Sequence, residues 1–105
     1  MDVNAVLEEI VECLVPLFQP DRVVLFGSRA RGDHDEDSDI DILVVMPEVG
    51  NHWDMAVAMR RALRGVRVPK DVLVLSRSEY AVERLIPGSL AYPAEHEGTV
   101  LYART

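Results

Sequence analysis

Two short clusters in this chain have the residue types and the spacing for phosphoryl chemistry: Gly27-Ser28 and, ten residues further on, Asp39-Ile40-Asp41. In a strand, residues i and i+2 share a face. Asp39 and Asp41 would therefore present two carboxylates the same way, with Cα atoms roughly 6–7 Å apart. Oxygen donors at that spacing suit hard divalent cations. Gly27 adds no bulk, and Ser28 adds a hydroxyl to backbone N–H groups at the corner after an apolar run, the makings of a phosphate cradle. Cradle and carboxylate pair together point to metal-assisted phosphoryl transfer. Apart, each has a plainer explanation, a serine-capped turn and a frayed strand end. The plainer explanation fails for the pair, because ionised carboxylates on an apolar strand are costly unless paired or bound to metal. No Gly-x-x-x-x-Gly-Lys-[Ser/Thr] run is present, which excludes a Walker-type loop. A calcium loop starting at Asp33 would need glycine and glutamate where Ser38 and Val44 stand, so Asp33–Asp37 reads as a solvated acidic loop.

The hydrophobic pattern supplies a frame for these residues. Val3, Val6, Leu7, Ile10, Val11, Leu14, Leu17 and Phe18 recur at helical spacing, with Glu8, Glu9 and Glu12 on the other side. Asp2 or Asn4 can cap this helix, and Pro16 should bend or end it near Val15. Arg22–Phe26 reads as a short buried strand, and Ser28 can then cap a short helix over Arg29–Arg31 that Gly32 ends. Arg29 and Arg31 are candidates to contact a phosphate or a protein partner. Asp39–Met46 is a second strand, with Asp39, Asp41, Leu43 and Val45 on one face and Ile40, Ile42 and Val44 on the other. A helix follows from about His52 to Arg64, capped by Asn51 and ended by Gly65. Val66–Ser76 is a third strand with Pro69 near its start; Asp71, Leu73 and Leu75 share a face. Asp71 thus stands at the head of an apolar strand, as Asp39 and Asp41 do. Ser76-Arg77-Ser78-Glu79 is a capping box for a helix that Pro87-Gly88 stops. Ser89–Glu97 reads as a further helical segment, and Val100-Leu101-Tyr102 as a short apolar tail.

Bulk properties narrow the function classes. At 105 residues, one domain spanning 1–105 is expected. A net charge of −7 disfavours direct nucleic-acid binding and suits a basic protein partner. Cys13 is the only cysteine, so no internal disulfide can form, and a reducing cytoplasm is expected. No apolar run reaches the ~18 residues that a bilayer span needs, so no membrane association is expected.

Gly27-Ser28, the ten-residue interval and Asp39-x-Asp41 resemble the signature of the nucleotidyltransferases related to DNA polymerase β. The short chain, and its Gly98-x-Val100-Leu101-Tyr102 ending, is similar to the minimal nucleotidyltransferase (MNT) family, whose members often act as antitoxins of HEPN/MNT toxin–antitoxin pairs. The motif covers residues 27–41, and the order of elements fits over nearly the whole chain. The resemblance implies an α/β fold, a small mixed sheet with helices packed mainly on one face. It implies that Asp39 and Asp41 hold two Mg²⁺ ions, with Asp71 as a third carboxylate on the neighbouring strand that completes the second metal site and assists deprotonation. Gly27 and Ser28 would cradle the phosphates of ATP, the expected substrate, and a HEPN-domain toxin would receive AMP on a tyrosine hydroxyl; the alternative is a catalytically idle module of the same fold that neutralises its partner by contact alone. A polymerase fragment is disfavoured by acidity and by the lack of a region to hold a template.

Overall fold

The computed structural model describes residues 2–104. The first helix, α1 (Val3–Phe18), starts where the Asp2 side chain accepts the Ala5 amide. It buries Leu7, Ile10 and Leu14. Pro16 does not end it near Val15, as its ring suggests in the sequence; the helix continues to Phe18. Pro16 lies on the exposed side, where water can satisfy the carbonyl left without a donor. Gln19 closes the helix in the left-handed region, φ 51°.

Four strands follow, interleaved with helices: β1 (Arg22–Phe26), α2 (Ser28–Arg31), β2 (Ile40–Met46), α3 (His52–Ala62), β3 (Lys70–Ser76), α4 (Arg77–Glu83), α5 (Ala91–Glu97) and β4 (Thr99–Ala103). The sheet order is β3-β2-β1-β4. β1 runs antiparallel to β2 and β4, whereas β2 and β3 are parallel. A parallel pair needs a crossover, and α3 provides it. The mixed α/β sheet expected from the sequence is therefore present. The residues read as an apolar tail form β4, which pairs with β1. β3 begins at Lys70, after Pro69, rather than at Val66, and Lys70 Nζ turns back to the carbonyls of Val66 and Val68.

Period-2 alternation splits the core in two. Val23, Leu25, Ile40, Ile42, Val44, Val72 and Val74 face α1 and α3 in the larger cluster. Val24, Leu43, Val45 and Leu75 face Tyr80 of α4 and Ala91 and Ala94 of α5 in a smaller one. The helical layer is thus heavier on one face, and α4 and α5 add a lighter layer on the other. The Tyr80 hydroxyl donates to Glu95, which ties α4 to α5. Burial, then that carboxylate, pushes the Tyr80 pKa up to about 12. The capping box read at Ser76 and Glu79 is formed in both directions.

α5 turns into β4 at Gly98, where a Cβ would lie 2.2 Å from the Ala94 carbonyl oxygen and 2.8 Å from Val24 Cγ1. Gly98→Ala should therefore destabilise the fold by about 1–3 kcal/mol through overpacking. A thermal melt checks this; an unchanged melting temperature would mean that α5 does not approach β1 so closely.

Candidate active site

Asp41 is the second residue of β2, on the face that carries Leu43 and Val45. In the parallel register its partner across the strand pair is Asp71, on the face of Leu73 and Leu75. Neighbouring strands lie about 4.8 Å apart, so these two carboxylates emerge side by side from the heads of adjoining strands. Asp39 precedes β2 by one residue and is exposed. The site is open: the Asp71 side chain is 67 % exposed. Burial, then repulsion from Asp71 and Asp39, holds the Asp41 carboxyl above the usual carboxylate range, and Arg31 pulls the other way.

Gly27 follows β1, which is antiparallel to β2 with Phe26 opposite Asp41. Its backbone, φ 78° and ψ −159°, is close to a region essentially restricted to glycine. A Cβ there would lie 2.3 Å from Asp41 Oδ2. The sequence reading reserves the space at Gly27 for a phosphate; in the structure the Asp41 carboxylate occupies it. Gly27, rather than Ser28, is the N-cap of α2, and Ser28 is its first residue. The amides of Ser28 and Arg29, first in the turn, have no carbonyl within the helix to donate to.

The two arginines separate. Arg31 pairs with Asp33 at 3.3 Å and with Glu97 at 3.8 Å, and its charge is felt at Asp41. Arg29 instead donates from Nε to the Ser38 carbonyl at 3.0 Å and lines a cleft with Val3, His34, Asp35 and Glu36. Ser38 in turn accepts the Asp35 amide on its hydroxyl, closing the acidic loop on itself. Arg60, in the last turn of α3, carries no sequence signal that ties it to the motif. Its Nη2 donates to Asp71 Oδ1 at 3.0 Å. Among the described residues, no three His, Cys, Asp or Glu side chains converge as a ready-made metal cage.

Comparison with known proteins bears on the family and the fold. Residues 7–87 match the model of the nucleotidyltransferase domain. A provisionally named protein adenylyltransferase of Methanocaldococcus jannaschii is 62 % identical over 29 residues, a stretch covering 28 % of this chain and 29 % of that protein. A structure from Sulfolobus solfataricus, provisionally described as a nucleotidyltransferase, is 30 % identical and superposes with a TM-score of 0.66 over 95 % of this chain and 79 % of its own. The complex of a tri-AMPylated Shewanella oneidensis HEPN toxin with its MNT antitoxin contains a similar fold, with a TM-score of 0.62, 18 % identity, and coverage of 96 % of this chain and 72 % of that one. On the family match across most of its length, the chain belongs to the nucleotidyltransferase domain family.

Proposed function

We propose that this protein transfers a nucleoside monophosphate, AMP in the leading case, from a nucleoside triphosphate to a hydroxyl of another protein. The observation that carries this reading is the juxtaposition at the strand heads: Asp41 beside Asp71, Asp39 next to them, and the Gly27 backbone pressed against Asp41. The donor set fits hard divalent cations, being all carboxylate oxygen with Asp41 disfavoured as an anion by burial and then by its acidic neighbours. Two Mg²⁺ ions at Asp39, Asp41 and Asp71 would neutralise triphosphate charge and favour the deprotonated acceptor.

The chain's own residues divide the remaining work. Backbone amides at the Gly27–Ser28 corner and the Arg31 guanidinium bind triphosphate oxygens. Arg29, held by the Ser38 carbonyl, steadies the acidic loop. The acceptor oxygen bonds to the α-phosphorus, the bond from that phosphorus to the pyrophosphate oxygen breaks, and pyrophosphate leaves. Asp71, outermost and exposed, accepts the acceptor's proton. Asp71→Asn should then lower turnover by about 10²–10⁴-fold while nucleotide binding survives. Wild-type turnover in that variant would remove Asp71 from the chemistry.

The acceptor proposed is a tyrosine of a HEPN-type toxin, which makes this protein its antitoxin. The MNT resemblance, the net charge of −7 and the AMPylated toxin in a complex of similar fold support that choice. A second reading is that the fold neutralises its partner by contact alone. It is favoured by Asp71 being engaged in an ion pair with Arg60. Incubation of a HEPN-domain partner with labelled ATP, Mg²⁺ and substoichiometric amounts of this protein decides between them. Under the transferase reading, intact mass shows AMP increments on the partner, which stays silent after the antitoxin is removed. Neutralisation only at one-to-one dose, with no mass change, selects contact inhibition.

A further inference from the structure

We infer that Arg60 is the counter-ion of Asp71 in the cation-free protein and competes with a divalent cation for that carboxylate. The inference rests on the proposed cation site and adds a positioning residue that the motif does not contain. The strand heads gather Asp39, Asp41 and Asp71 on one side of the sheet. Such a cluster is self-repelling, and a positive group near it lowers the cost. Arg31 influences Asp41, yet its own ion pairs are to Asp33 and Glu97. Arg60 alone pairs with a member of the cluster among the described residues, at 3.0 Å on Asp71 Oδ1.

That pairing and cation binding oppose each other. The guanidinium on Asp71 Oδ1 withdraws negative charge that a cation at Asp71 would use, and it repels the cation directly. A cation shared between Asp41 and Asp71 would therefore bind against Arg60 or displace it. Arg60 thus weakens the hold of the third carboxylate on a cation.

Arg60 is 47 % exposed, so Arg60→Gln should fold. Titration with Mn²⁺ alone, without nucleotide, followed by calorimetry or by loss of the free-ion paramagnetic signal, reads the competition directly. Arg60→Gln should bind Mn²⁺ about two- to fivefold more tightly than wild type, as loss of an exposed ion pair allows. Arg61→Gln removes the same charge from an exposed neighbour on α3 and controls for net charge; it should stay near wild type. In an Asp71→Asn background the Arg60→Gln effect should vanish, because the two residues act as one pair. Unchanged Mn²⁺ affinity in Arg60→Gln, when Asp41→Asn weakens it, overturns the inference and leaves the cation site standing. Equal tightening by Arg61→Gln, or tightening that persists with Asp71→Asn, also overturns it. If Asp41→Asn and wild type bind Mn²⁺ alike, the cation site itself falls, and the role of Arg60 falls with it.

Discussion

Asp41→Asn, alone or with Asp39→Asn, should abolish nucleotidyl transfer yet leave the cation-free protein as stable as wild type or more so. The two halves have one cause. Asp41 is the carboxylate placed between Asp39, just before its strand, and Asp71 on the next strand, so it is the centre of the proposed cation site. It also carries the repulsion: burial, Asp71 and Asp39 all raise its pKa. A raised carboxylate pKa means that the folded state holds this proton more tightly than the unfolded chain does. Ionised Asp41 is then a destabilising group at neutral pH, and that penalty fades as pH falls through its folded pKa. The neutral amide removes the penalty at every pH. The melting temperature of Asp41→Asn should therefore equal or exceed that of wild type at neutral pH, and the gap should close in acid. Activity and thermal melts measured across pH test both halves. Retained transfer would sink the role of Asp41, and a lower melting temperature at neutral pH would mean that its carboxylate is compensated in the folded protein.

Gly27→Val should eliminate nucleotide binding, and Gly27→Ala should already impair it severely. The structural cause differs from simple loss of room for a phosphate. A Cβ at Gly27 would meet Asp41 Oδ2 at 2.3 Å and Asp41 Cγ at 3.2 Å, so even alanine displaces the carboxylate. The backbone conformation adds about 1–3 kcal/mol of strain for any residue with a side chain. One substitution therefore disturbs both halves of the site, the corner and the carboxylate. Ser28→Ala should do much less, since it removes a hydroxyl and leaves the backbone amides in place. Calorimetric titration with a non-hydrolysable triphosphate, and with Mn²⁺ alone, ranks the three variants. Wild-type affinity for both ligands in Gly27→Ala would show that Asp41 yields freely and that the close approach has no function.

Local sequence carried a great deal here because the decisive patterns are short. Alternation along residues 39–46 puts Asp39, Asp41, Leu43 and Val45 on one face, and the structure keeps that split, with Leu43 and Val45 in the smaller core. The capping box at Ser76 and Glu79 and the caps at Asp2 and Asn51 also involve residues three or so apart, and all form. Such contacts depend on helix and strand geometry alone.

Other features were decided by chain segments that meet only on folding. Val100-Leu101-Tyr102 becomes an edge strand because β1 offers it a free side, which no local pattern records. Pro16 stays within α1 because that turn lies on the exposed side of the packed helix. Asp71 could be named from its place at the head of an apolar run, but its register opposite Asp41 is set by how α3 carries the chain across and packs Val72 and Val74 beside Ile42 and Val44. The separation of Arg31 from Arg29 and the approach of Arg60 to Asp71 are likewise matters of where a long side chain ends, which spacing along the chain does not specify. By itself, then, the sequence determined the motif, its strand and the face on which its carboxylates lie, because period and capping act over a few residues. The tertiary structure alone decided which charges surround them and what fills the space at Gly27, because those depend on packing between distant segments.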